Sequence, residues 1–334
     1  MVVARMDPPG PARAFSVVVS EAAWRADVDK WIAEVLGDAG LTVTGPSEPR
    51  RVRPWSTQYV IPSSGGAVWF KANCPDLSFE PALHQALGRL APGIVEEPIA
   101  IDAARGWMLT RDRGLPLAER HEPSLDEWCA IAREAARLQR LSAGAAKELL
   151  GNGIPDCSPA TVGPRFDSLV GRYAGLDPTH PSHLPTALLP KYEAARPTVV
   201  EVAAALAQSP LPVTLNHGDL HPGNVLVVDG GLRLFDFGDA QWAAAPEVLW
   251  PLWAWLTHRT DQPWRTIFAA YAEVWSDLVS PDEFDGLLAA AMVTLQVNRS
   301  QAWWSATRHG TDAELAEWGD APLSQLSHVL RPWP

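Results

Sequence analysis

The sequence predicts an α+β protein of two lobes, a small strand-rich lobe over residues 1–115 and a larger, mainly helical lobe over residues 116–334. Three observations carry this. Short runs before residue 111 alternate in hydrophobicity with a period of two, whereas apolar residues from Leu125 onward recur at helical spacing. One strong strand pair, Val225–Val228 and 232–235 around Asp229-Gly230-Gly231, interrupts the helical part. Charge divides at the same place: residues 1–115 hold 12 basic and 13 acidic side chains, residues 116–334 hold 15 and 26. A strand-rich part followed by a helical part implies two units with a cleft between them.

The elements follow in order. Residues 1–19 read as a loose leader rich in Pro and Ala. Ala23, Trp24, Val28, Trp31, Ile32 and Leu36 recur at helical spacing over 20–38, with Ser20 as the cap. The stretch 45–54 is turn-like. Strands are expected over 56–61 and 67–72, joined by the turn Pro62-Ser63-Ser64-Gly65-Gly66. A short helix over 80–90 precedes two more strands, 99–102 and 107–110. One long helix is expected over 125–150, with Trp128, Ile131, Ala132, Ala135, Leu138, Leu141 and Leu149 on its buried face. Further helices are expected near 166–173, 190–207, 246–257, 264–279 and 281–308.

Composition narrows the function. With 47% hydrophobic and 20% charged residues, the 334-residue chain is globular in character. No apolar run reaches the roughly 18 residues of a membrane span, and the first residues lack an apolar signal core, so a cytoplasmic protein is expected. Three scattered cysteines make neither a disulfide framework nor a zinc site. A net charge of −12 argues against a nucleic-acid partner. The acidic excess serves solubility on one reading and attracts a cationic ligand on another.

The chemistry concentrates between Leu215 and Asp239, in Asn-His-Gly-Asp-Leu-His-Pro-Gly-Asn before the hairpin and Phe-Asp-Phe-Gly-Asp after it. Asp229-Gly230 marks the closed end of the hairpin. Asn224 immediately precedes the first strand and Asp236 follows the second, so they meet at the open end. Asp219 lies in the entering loop, and Asp239 follows closely. Two carboxylates and an amide that face each other without a nearby lysine or arginine call for a cation between them. Hard oxygen ligands favour Mg²⁺ over zinc, and a carboxylate free of metal could accept a proton from an attacking hydroxyl. Those are the parts of a phosphoryl-transfer site.

The order H-x-D-x-x-x-x-N followed by D-F-G resembles the kinase catalytic and metal loops. The segment His-Gly-Asp-Leu-His-Pro-Gly-Asn is similar to that of the aminoglycoside phosphotransferase and choline kinase-like family of small-molecule kinases. The resemblance spans about residues 53–256. It implies a bilobal protein-kinase-like fold, ATP or GTP with Mg²⁺ as cofactors, Asp219 as catalytic base, and Asn224 and Asp236 as metal ligands. It also implies a strand lysine on the phosphates, matched by Lys71 in Val-Trp-Phe-Lys-Ala, and a helix glutamate that orients it, matched by Glu80. Thr110, Arg111 and Asp112 then fall in the connection between lobes, where backbone groups would hold the purine. Ser63-Ser64-Gly65-Gly66 looks like a glycine-rich phosphate loop but directly precedes the lysine strand, which in the resembled fold makes it the outer turn instead. The phosphate loop would be Arg53-Pro-Trp-Ser-Thr57, with Ser56 and Thr57 as donors, a departure from a glycine-rich loop.

Other readings are weaker. His217 and His221 are four apart, but Pro222-Gly223 forbids the continuous helix a zinc-protease pair needs, so these rings are expected to brace the loop. Ala245-Pro246-Glu247 follows Asp236 too closely for a protein kinase's peptide platform, so the acceptor is a small molecule. A nucleotide-binding module without transferase activity would lack Asp219 or Asn224, and both are present. The resemblance places acceptor sites between the metal site and the carboxy-terminal helices, where the candidates are Asp239, Glu247, Trp250, Trp253, Asn298, Gln301, Trp303, Trp304 and Arg308. Some of the sixteen tryptophans could form stacking walls. An aminosugar-containing or other antibiotic is the first acceptor considered, and a metabolic sugar, amino sugar or amino alcohol the alternative.

Overall fold

Alternation builds the N-terminal sheet. The computed structural model describes residues 13–331. Five antiparallel strands, β1 (Glu48–Val52), β2 (Ser56–Ile61), β3 (Val68–Asn73), β4 (Ala100–Asp102) and β5 (Trp107–Arg111), lie in the order β1-β2-β3-β5-β4. Tyr59, Ile61, Val68, Phe70 and Ala72 are buried against Val28, Trp31, Ile32 and Leu36 of the Ala22–Asp38 helix. Each large side chain so buried contributes about 1.5–3 kcal/mol. Because successive strand residues face opposite sides, Trp69 and Lys71 are left on the other face, towards the helical part. Lys71 stands opposite Gln58 of β2 and Met108 of β5.

The helical part carries two small strand pairs rather than the one expected. The hairpin is β7 (Val225–Val228) with β8 (Gly231–Leu234), one residue earlier in its second strand than the spacing suggested. The additional pair is β6 (Val213–Asn216) with β9 (Gln241–Ala244), which flanks the whole catalytic segment. These four-residue strands are largely enclosed, so they lack the polar alternation that marks a half-buried strand. A large core of Trp128, Ile131, Leu215, Leu220, Phe237, Leu249 and Tyr271 runs beneath the hairpin.

Several boundaries move for identifiable reasons. The turn-like stretch 45–54 contains β1, whose Glu-Pro-Arg-Arg-Val sequence carries little strand propensity and is held by pairing to β2. Ser20 is not a cap: its hydroxyl donates back to Ser16 O at 2.7 Å, and the helix begins at Ala22. Of the expected leader, residues 1–12 lie outside the described residues, and Phe15–Val18 forms one helical turn. The helix over 125–150 breaks after Ser142, where the buried Ser142 hydroxyl donates to Gln139 O and meets Thr214 Oγ1, and a tight turn precedes Ala146–Gly151. Leu141, placed on that helix's buried face by spacing, is 53% exposed. The helices expected over 246–257 and 264–279 are Leu249–Arg259 and Trp264–Glu273. The last long helix, Pro281–Thr307, starts with a capping box at Ser280 and Glu283. No helix among the described residues is long and apolar enough to cross a membrane.

Candidate active site

The hairpin's closed end is a two-residue turn with φ of 51° at Asp229 and 77° at Gly230, the geometry that Asp-Gly favours. At the open end Phe235 N–H donates to Asn224 O at 3.2 Å, which brings Asn224 beside Asp236. Asp236 has φ of 66°, a left-handed conformation that a non-glycine residue holds only under constraint. Two constraints are visible. Lys71 Nζ donates to Asp236 Oδ1 at 2.5 Å, across 165 residues of sequence. The next residue, Phe237, is fully buried, its ring 5.5 Å from that of His84 and 4.8 Å from that of His217. At Gly238 a side chain would stand 3.2 Å from Glu80 Oε2 and 3.7 Å from Lys71 Nζ, so the glycine leaves room for the junction.

The entering loop is organised by its two histidines. His217 lies 2.9 Å from Phe235 O through Nε2 and accepts the Asp219 N–H at Nδ1, and burial pushes its pKa down so that the ring is neutral. His221 Nδ1 accepts the Gly223 N–H at 3.0 Å, which leaves the proton on Nε2, 3.3 Å from Asp219 Oδ2. Both rings therefore brace the loop. Asn224 Nδ2 donates to Asp219 O at 2.8 Å and to Asp219 Oδ2 at 3.3 Å. Gly218, at φ 79°, could not bear a side chain: its Cβ would lie 1.9 Å from Asp239 O. One-third of the Asp219 side chain stays exposed, enough for a small hydroxyl to reach.

Charge at the junction is compensated by protein side chains, which corrects the expectation that no lysine or arginine is near. Lys71 Nζ sits 2.7 and 2.8 Å from the two Glu80 oxygens, and Asn73 donates to Glu80 Oε2 at 2.5 Å. Burial works against the Lys71 charge, but Asp236 and Glu80 outweigh it and hold its pKa above the usual value. Arg299 of the Pro281–Thr307 helix donates to Gly218 O and, at 3.2 Å, to Asp219 Oδ1. Desolvation favours the neutral acid at Asp219, yet the His221 hydrogen bond and the Arg299 charge hold its pKa well below the usual range. Desolvation and the Asp219 charge push Asp239 up to about 6. Arg299 escaped the sequence reading; its one signal is a cation on a helix face whose neighbours Asn298 and Ser300 are buried.

A cavity of about 560 Å³ opens from this junction. Lys71, Glu80, Asn224 and Asp236 line it together with Met108, Thr110, Arg111, Asp112 and Gly114. Two expected donors do not serve there. Thr57 is fully buried on the face opposite Lys71, and its hydroxyl donates to Arg51 O at 3.0 Å; the Ser56 hydroxyl is buried without a partner. The Asp112 N–H is committed to Ala67 O at 3.0 Å, and its carboxylate closes the turn by accepting from Gly114 N–H.

The acceptor candidates are scattered. Asn298 and Glu247 are fully buried and bonded to each other at 2.9 Å, with Thr294, Cys157 O and Arg165 as further partners, so they support the helix rather than face a ligand. Gln301 accepts from Arg172 and donates to Ser305. Trp304 packs on Tyr173 and His180, and Trp250 on Trp253 and His328. Arg308 is paired in two bonds with Asp76. Trp303 differs from these: it stacks on Trp318, and Trp55 of the β1–β2 loop meets both rings edge-on.

A five-stranded lobe over a helical lobe, with a lysine, a glutamate and an aspartate meeting at the cleft, defines a kinase-like phosphotransferase. The phosphotransferase enzyme family's sequence profile matches residues 76–284, and the chain belongs to that family, whose members transfer phosphate to hydroxyl groups of small molecules. Solved structures agree on the fold. Macrolide 2'-phosphotransferase MphH from Brachybacterium faecium is 17% identical, with 92% of this chain and 99% of that one covered and a TM-score of 0.54. Plasmodium vivax ethanolamine kinase is 12% identical over 88% and 84%, with a TM-score of 0.62. The GDP and kanamycin complex of APH(2")-IIia is 14% identical over 90% and 98%, with a TM-score of 0.59. No curated protein matches the chain in sequence.

Proposed function

We propose that the chain uses ATP or GTP with Mg²⁺ to phosphorylate a hydroxyl of a small molecule, with Asp219 as the base. The observation that carries this reading is the meeting of Lys71, Glu80 and Asp236 within 2.8 Å, beside Asn224, which donates to the partly exposed Asp219. The donor set fits the implied cofactor: Asn224 and Asp236 offer hard oxygens at the mouth of a cavity large enough for a nucleotide. Asn224 and Asp236 would hold Mg²⁺, which would supply positive charge to offset that of the phosphates. Asp219 then receives the acceptor's hydroxyl proton on a carboxylate oxygen as that hydroxyl oxygen bonds to the γ-phosphorus and the nucleoside diphosphate leaves. Asn224 and His221 hold the base's Oδ2 side, and Arg299 its Oδ1 side. Lys71, fixed by Glu80, holds the phosphates.

For the acceptor, an aminosugar-containing or other antibiotic is the first reading, supported by the acidic excess of residues 116–334. A metabolic sugar, amino sugar or amino alcohol is the second. Incubation of the protein with labelled ATP or GTP, with and without EDTA, against a panel of aminoglycosides, macrolides, choline, ethanolamine and simple sugars tests both. Label transfer that requires Mg²⁺ is expected with one class. Nucleotide binding with no transfer to any acceptor would favour a non-catalytic module.

A further inference from the structure

The loop expected over the nucleotide phosphates is short of donors. Residues 53–55 contain no glycine, Pro54 has no N–H, and the Arg53 N–H is bonded to Ser56 O at 2.9 Å. The loop is also fixed in place: the Trp55 ring lies edge-on to Trp303 and Trp318, with centroids 5.8 and 5.4 Å away. Neither backbone amides nor hydroxyls of this loop can wrap a triphosphate in the usual way.

The strand before it provides something else. Pairing of β1 with β2 slips between Pro49 and Arg51, so that Arg51 rather than Arg50 stands opposite Gln58. Gln58 in turn stands opposite Lys71. Residues directly across antiparallel strands share a face, so Arg51, Gln58 and Lys71 form one row on the cleft side of the sheet. All three line the cavity. The Arg51 guanidinium stops 4.0 Å from Asp236 Oδ2, too far for a hydrogen bond, and its Nε is buried with no partner. Asp236 is already held at 2.5 Å by Lys71, so the Arg51 charge is not consumed there.

We infer that Arg51 is a phosphate-binding residue, a side-chain fork that grips the polyphosphate of the nucleoside triphosphate in place of a glycine-rich loop. The inference rests on the nucleotide reading above. A guanidinium suits the task because it presents several fixed N–H donors to phosphate oxygens at once. The bulge in β1 is what delivers it, since an unbroken register would leave Arg50 at that position.

Calorimetric titration of Mg·ATP, Mg·GTP, adenosine and guanosine into wild type, Arg51→Gln and Arg51→Lys tests it. Arg51→Gln is expected to bind the preferred triphosphate about tenfold or more weakly while its nucleoside binds within about twofold of wild type, and Arg51→Lys to fall between. Equal losses for triphosphate and nucleoside, or none for either, overturn the inference. Should Arg51→Gln fold poorly, Arg51→Lys decides alone: about threefold weaker triphosphate binding with unchanged nucleoside binding supports it, and no difference overturns it. Wild type that binds neither triphosphate overturns the nucleotide reading itself, a result distinct from failure at Arg51.

Discussion

The proposed nucleotide side and the proposed acceptor side of Asp219 are built in opposite ways. On the nucleotide side, Lys71, Glu80 and Asp236 come from three separate elements and lock onto one another within 2.8 Å, and most of their charge is cancelled before any ligand arrives. On the acceptor side, Glu247, Asn298 and Gln301 spend their polar atoms on each other and on neighbouring helices, and Arg299 reaches past them to the base. Under the proposed function the first arrangement would prepare one fixed reaction, and the second would keep the helices rigid and leave selection of the acceptor to few groups. Substitutions on the two sides should therefore separate cleanly into effects on chemistry and effects on stability or affinity.

The largest effect belongs to the base. Asp219→Asn keeps the shape and the Asn224 contact but cannot take a proton, so turnover should fall by about two or more orders of magnitude while nucleotide affinity hardly changes. Steady-state rates beside a nucleotide titration check this, and near-wild-type turnover would remove Asp219 from the role.

A smaller effect, on stability, is expected at Glu247. Its burial pushes the carboxyl up to about 7, from an ordinary value of 4.5, against the hydrogen bonds from Thr294 and Asn298. The folded protein thus holds this proton more tightly than the unfolded chain. That stabilising contribution is complete below the ordinary pKa and is lost as pH rises towards and through about 7. Glu247→Gln imitates the protonated acid, so its Tm should gain on wild type by a few °C between pH 5 and pH 8. Parallel melting curves across that range would mean the carboxyl titrates normally.

The mildest effect concerns the field around the acceptor. If the acidic excess of residues 116–334 draws in a cationic acceptor, its KM should rise with sodium chloride more steeply than the KM for nucleotide, as the Debye length shrinks to about 8 Å near physiological ionic strength. A neutral acceptor with a salt-independent KM would assign the acidity to solubility, and leave Lys71 and Asp219 in their roles.

Legibility followed the same division. Asp219, Asn224 and Asp236 could be brought together from sequence because a single Asp-Gly hairpin does it, whereas Lys71 is reached only through the kinase resemblance of its strand. Arg299, Arg51 and the β6–β9 pair could not. Arg299 depends on how a distant helix docks, and the placement of Arg51 on a one-residue slip that no propensity marks. At the break after Ser142, Gln139 O accepts from the hydroxyls of both Ser142 and Thr214, the latter more than seventy residues away. Acceptor candidates placed by the family resemblance, such as Asn298, are buried supports here, since a resemblance gives a region but not which side chains in it are covered.

The claim on which the rest depends is that Asp236 joins metal and nucleotide. Titration of ATP and GTP into wild type and Asp236→Ala, each with Mg²⁺ and with EDTA, measures it directly. Wild type should bind one nucleotide with Mg²⁺ and lose most of that affinity in EDTA, while Asp236→Ala should bind weakly in both and gain nothing from the metal. Binding that is indifferent to EDTA and to the substitution would put the metal site elsewhere.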